Sequence, residues 1–101
     1  MTEVLADLSG SPQRLASLTA GGLSDPAAIA AAFYADGSIG IRHRCTRPRD
    51  GQTLIVAPRL VLGEPGGHTV NTYDPLDVTP SVGCDDCGLH GFVRNGQWVP
   101  A

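Results

Sequence analysis

Three cysteines and three histidines are the side chains of this sequence best suited to chemistry, and their spacing points to one kind of site. Gly83-Cys84-Asp85-Asp86-Cys87-Gly88 is a C-x-x-C closed by glycine. Such a knuckle turns tightly because glycine accepts positive φ, and nearby backbone N–H groups can donate to the thiolates. Cys45 lies far upstream with His43 two residues before it, and His90 follows Cys87 by three. An odd number of cysteines disfavours a disulfide framework. A tetrahedral Zn²⁺ site needs four nitrogen or sulfur ligands, and the preferred set is Cys45, Cys84, Cys87 and His90. His43 in place of Cys84 or His90 is the leading variant; otherwise it is a buried histidine or a partner of the ligands. A reactive dithiol competes with this reading, but a thioredoxin-type pair should open a helix after a strand, whereas this pair leads into a hairpin. Four protein ligands leave no position for water, so the site is expected to be structural, contributing on the order of 10 kcal/mol to folding.

The elements that must position these residues change character near residue 38. Ser11-Pro12 and Asp25-Pro26 read as helix starts, with Gly21-Gly22 and Gly37 as the stops. Two short helices are therefore predicted in residues 1–37, with Leu15 and Leu18 on one inner face and Ile29 and Phe33 on the other. Val4, Leu5 and Leu8 are expected to form an extra turn or a docking arm. From Ser38 the period becomes two: Ile39, Ile41, His43 and Cys45 share one face, while Gly40, Arg42 and Arg44 share the other. Further strands are predicted over Gln52–Ala57, continuing past Pro58 to Leu62, and over His68–Tyr73. Asp74–Ser81, with two prolines, reads as a loop. Asn95-Gly96 predicts a two-residue hairpin that sets Val93 opposite Trp98 and Phe92 opposite Val99. The expected architecture is a single α+β domain over residues 1–101. Its helical segment is 1–37 and its small antiparallel, zinc-ribbon-like segment is 38–101.

Composition narrows the function. The 101 residues are 42% apolar but only 5% aromatic, and glycine and alanine are the commonest types, so a metal or a partner should supplement a thin core. The seven basic residues are all arginine, and the net charge of −3 argues against general nucleic-acid binding. Arg42, Arg44, Arg47 and Arg49 nevertheless fall close together, read first as a solvated face or as compensation for anionic thiolates. No apolar run is long enough to span a membrane, and the first residues lack the pattern of a signal peptide. G-x-G-x-x-G, P-loop, G-x-S-x-G and H-E-x-x-H are absent, as are both halves of the zinc-deaminase pattern. No catalytic or organic-cofactor residues are assigned, and an enzyme is not expected.

Pro80-Ser81-Val82 and the run Cys87-Gly88-Leu89-His90-Gly91-Phe92-Val93-Arg94-Asn95-Gly96-Gln97-Trp98 resemble the C-terminal end of a family of small zinc-knuckle proteins. Many of these are encoded by phages and bacterial mobile elements. The family pattern is P-S-[IL] followed by C-x-S-H-[FY]-[WF]-I-R-x-G, with a C-P-C-G-C knuckle upstream. The resemblance covers roughly a third of the chain. It implies zinc binding through Cys87 and His90, with His43-Arg44-Cys45 standing where the upstream knuckle would be. The departures are a single upstream cysteine, the added Cys84, and Gly91 between His90 and Phe92. Together with the lysine-free composition it implies a protein of an actinobacterial phage without enzymatic activity. The expected role is a zinc-stabilised accessory protein of the virion, a minor structural component of head, connector or tail. Its partners would be other phage structural proteins, assembled in multiple copies. The alternative is an intracellular regulator in the host cytoplasm, binding nucleic acid or a host protein through the zinc module and the arginine cluster.

Overall fold

The computed structural model describes residues 12–19, 22–25 and 28–101. Among them the secondary structure is all strand. In chain order the strands are β1 (Arg14–Ser17), β2 (Ala30–Phe33), β3 (Ile39–Thr46), β4 (Thr53–Val56), β5 (Thr69–Tyr73), β6 (Leu76–Gly83), β7 (His90–Arg94) and β8 (Gln97–Pro100). They form two antiparallel four-stranded sheets with orders β1-β2-β3-β4 and β5-β6-β7-β8, so each sheet is a meander of consecutive strands. The α+β expectation is overturned. Its first helix is replaced by β1 and its second by β2. The signals at Ser11 and Pro26, and the arm at Val4, Leu5 and Leu8, lie outside the described residues.

The reason lies in how β2 is buried. It runs between β1 and β3, and Ala30, Ala31 and Ala32 are at most 1% exposed. A strand covered on both faces loses its polar alternation, so Ile29 and Phe33 mimic a helical i, i+4 pair. Alanine's helix preference amounts to only a few tenths of a kcal/mol per residue, less than two hydrogen-bonded ladders and burial can supply. Gly37, expected to stop a helix, instead closes a turn into β3. It adopts φ 87°, its N–H donates to the Tyr34 carbonyl at 3.0 Å, and the Asp36 carboxylate accepts from the Ser38 N–H and hydroxyl.

From residue 38 onward the strand pattern is closer to expectation. The turn at Asn95-Gly96 has positive φ at both residues, and the ladder pairs Val93 with Trp98 and Phe92 with Val99. The segment after Pro58 rejoins β3 through a bridge between Gly40 and Arg59 rather than as a full strand. The expected loop over Asp74–Ser81 is mostly β6. Pro75 sits in the turn before the strand, and Pro80 falls where pairing with β7 is interrupted between Val78 and Val82, so neither denies the ladder a needed donor. The core lies between the sheets, with Leu18, Ala31, Ile39, Ile41 and Leu60 meeting Leu76, Val78, Val82 and Val93. The Trp98 N–H donates to the Leu18 carbonyl at 2.7 Å and ties β8 to the end of β1. Among the described residues no helix is long and apolar enough to cross a membrane.

Candidate metal centre

Alternation along β3 turns Ile39, Ile41, His43 and Cys45 inward, and all four are at most 2% exposed. Arg42 and Arg44 take the opposite face. The other contribution comes from the connection between β6 and β7. There the Gly88 N–H donates to the Cys84 carbonyl and the Cys84 N–H to the Leu89 carbonyl, each at 2.8 Å, closing the C-x-x-C-G turn. Gly88 has φ 79°, which a larger residue would adopt only with strain. The knuckle therefore presents Cys84 and Cys87 from the second sheet to the end of β3 in the first.

His43, Cys45, Cys84 and Cys87 place one ligand atom each within 4.8 Å of one another, a group that could hold a metal ion. Cys45 Sγ is 3.9 Å from Cys84 Sγ, and Cys87 Sγ is 3.5 Å from His43 Nε2. Metal–sulfur and metal–nitrogen bonds of the lengths zinc prefers give tetrahedral edges of about 3.8 Å between sulfurs and about 3.5 Å between sulfur and nitrogen. These two contacts match those edges, whereas a disulfide requires sulfurs about 2.05 Å apart. His43 is also oriented for ligation. Its Nδ1 lies 3.0 Å from the Ile41 carbonyl, which can only accept, so Nδ1 carries the proton and Nε2 offers its lone pair to the centre.

The Cys45 and Cys84 thiols are shifted in opposite directions. Burial pushes the Cys45 thiol up to about 12, reinforced by the Cys87 and Cys84 sulfurs beside it. Burial also opposes ionisation of Cys84. There it is outweighed by the Cys87 N–H, the His43 ring, the Asp86 N–H and the Cys87 side chain, and the thiol is lowered to about 7. A bound cation deprotonates a coordinating thiol outright, so a metal would hold Cys45 as thiolate where the fold alone does not.

Of the preferred ligand set, Cys45, Cys84 and Cys87 come together, and His90 stands apart. His90 is exposed on β7, with Nε2 2.9 Å from the Ser81 hydroxyl. Inward positions on β7 belong to Gly91 and Val93, so Gly88 and the start of the strand carry His90 to the outer side despite its spacing from Cys87. His43 takes its place in the cluster. The signal that singles it out is the period-two face it shares with Cys45. The arginines do not bond the ligand sulfurs: Arg42 donates to the Ala28 carbonyl and Arg47 to Asp50 and Gln52, while Arg44 and Arg49 have no polar partner among the described residues. No protein-family model, curated protein or solved structure matches this chain.

Proposed function

We propose that the cluster holds one Zn²⁺ as a structural centre and that the chain is a non-enzymatic, zinc-stabilised accessory protein. The observation that carries this reading is the convergence of His43 and Cys45 from one sheet with Cys84 and Cys87 from the other, with the Cys45–Cys84 and Cys87–His43 contacts at the lengths of tetrahedral edges and the imidazole proton held by Ile41. Three soft thiolates and one imidazole favour zinc over magnesium or calcium, which prefer oxygen ligands. Four such ligands complete the coordination, leaving the ion to stabilise rather than to activate water. X-ray absorption at the zinc edge tests the ligand set. Three sulfurs near 2.3 Å and one nitrogen near 2.0–2.1 Å are expected; a shell containing oxygen or two nitrogens would contradict it.

The biological setting we propose is a phage particle, with this chain as a minor structural component among other virion proteins. It is supported by the resemblance carried by Pro80-Ser81-Val82 and Cys87–Trp98 and by the pairing of a thin core with a metal staple. Copies present in purified particles at fixed stoichiometry are expected, and absence from them would sink the assignment. A regulator acting in the host cytoplasm is the second reading, favoured by Arg44 and Arg49, which no acidic partner occupies among the described residues. It predicts binding that falls steeply with salt and is lost on Arg44→Ala with Arg49→Ala.

A further inference from the structure

The three cysteines at the junction of the sheets are free thiols, and they differ in access. Cys45 is 1% exposed on β3, whereas Cys84 and Cys87 on the knuckle are half-buried. Cys84 also lines an open groove with Val56, Pro58, Asp85 and Asp86. Its sulfur lies 3.9 Å from that of Cys45, and modest side-chain rotation would bring the pair to the about 2.05 Å of a disulfide. The Cys87 sulfur instead meets His43 Nε2 at 3.5 Å. A partly exposed cysteine poised next to a second one is the arrangement in which a thiol is first oxidised and then resolved.

We propose that Cys84 is an oxidation site for hydrogen peroxide, with Cys45 as its resolving partner, so that a disulfide between the sheets takes the place of the metal. This exchange rests on the zinc reading above and adds a control to the same centre. Cys84 Sγ attacks one peroxide oxygen and the O–O bond breaks. A sulfenic acid forms on Cys84 and the other oxygen leaves as water. Cys45 Sγ then attacks Cys84 Sγ, the S–O bond breaks, and the hydroxyl leaves as a second water. Two thiols and one hydrogen peroxide become one disulfide and two waters. The sulfurs lose two electrons, the peroxide gains them, and the two thiol protons end on the waters. Only His43 and Cys87 then remain as ligands, half of the four that a structural zinc requires. The new bond runs from β3 of the first sheet to the connection after β6 of the second, so it joins the same two sheets. A bond between Cys84 and Cys87 would stay within the knuckle and join neither sheet to the other. The exposed Asp85 and Asp86 beside the groove disfavour an anionic oxidant, which leaves a small neutral one.

Hydrogen peroxide added to the zinc-loaded full chain tests the exchange. Zinc should be released to a chromogenic indicator, and the mass of the metal-free chain should fall by two hydrogens. Peptide mapping after alkylation should find Cys45 joined to Cys84, with Cys87 alkylated. Native mass spectra of the oxidised chain should keep compact charge states, unlike those of the reduced chain stripped by a chelator. A phosphine reductant with added zinc should restore the metal. A disulfide between Cys84 and Cys87, thiols and zinc left intact under excess peroxide, or an oxidised chain with the broad charge states of an unfolded protein would each overturn the proposal. A purified chain that holds no zinc defeats the metal reading and the exchange together, whereas a loaded chain that forms the wrong disulfide defeats the exchange alone. Every readout uses the wild-type chain, so no variant has to fold.

Discussion

Cys45 Sγ and Cys84 Sγ lie 3.9 Å apart although 39 residues separate them, one on β3 of the first sheet and the other just past β6 of the second. The pairing strands stay within their own sheets, so this approach and the Cys87–His43 contact add a polar junction between the sheets beside their shared hydrophobic core. A metal held at this place would act as a staple between two meanders.

His43 and His90 make the ligand assignment testable by exchange. His43→Gln should abolish stoichiometric zinc binding and unfold the chain at moderate temperature, since a structural zinc contributes on the order of 10 kcal/mol. His90→Gln removes one exposed hydrogen bond to Ser81, worth about 1 kcal/mol or less, and should leave one zinc per chain. Zinc content by mass spectrometry and thermal melts check both. The reverse order of damage would reinstate His90 as the ligand.

The hairpin offers a packing test independent of metal. A Cβ added to Gly91 would sit 2.6 Å from the Trp98 ring and 2.7 Å from the Val99 carbonyl oxygen. The backbone oxygen belongs to the paired strand and cannot swing away. Gly91→Ala should therefore destabilise the chain by about 1–3 kcal/mol with zinc stoichiometry unchanged, the usual cost of overpacking. Denaturant midpoints of the zinc-loaded proteins measure it, and an unchanged midpoint would contradict this packing.

Acid should act through the metal before it acts through the carboxylates. Asp77 accepts from the Asn71 side chain and the Asn95 N–H, and its carboxyl is held below the ordinary 3.8 by those bonds, that of Asn71 first. A group lowered in the folded state stabilises fully above its unfolded value and loses that contribution only as pH falls through its folded value. Zinc ligands compete with protons at milder acidity, because imidazole and thiolates must be deprotonated to bind. Zinc release and unfolding should thus coincide at a pH above 3.8. Asp77→Asn should lower thermal stability at neutral pH without moving that midpoint. Unfolding confined to pH below 3.8, followed by circular dichroism and a zinc indicator, would show that carboxylates dominate instead.

The legible parts of this sequence were those with a strict local rule. Asn95-Gly96 specifies a turn by its φ values, and Ile39 to Cys45 alternate over enough residues to define a buried face. The knuckle around Cys84 and Cys87 follows from Gly88. What was misread is non-local. β2 is alanine-rich because both its faces are covered, which erases alternation and imitates a helix. β6 holds Pro80 where pairing with β7 is interrupted, and Pro75 falls in the turn before the strand, facts that only the pairing reveals. Spacing from Cys87 and the family resemblance point to His90, whereas the strand face shared with Cys45 points to His43, and on β7 the same alternation turns His90 outward.

Native mass spectrometry of the full chain, before and after exposure to a strong chelator and paired with a thermal melt, tests the central claim most directly. One Zn²⁺ per chain is expected, with a charge-state distribution that broadens to that of an unfolded protein when the metal is stripped and narrows again when it is restored. A chain that carries no metal, or that keeps its compact charge states and its melting temperature after chelation, would contradict it. Cys45, Cys84 and Cys87 would then be packing residues, and the two sheets would be held by their apolar core and by backbone bonds such as that from Trp98 to Leu18.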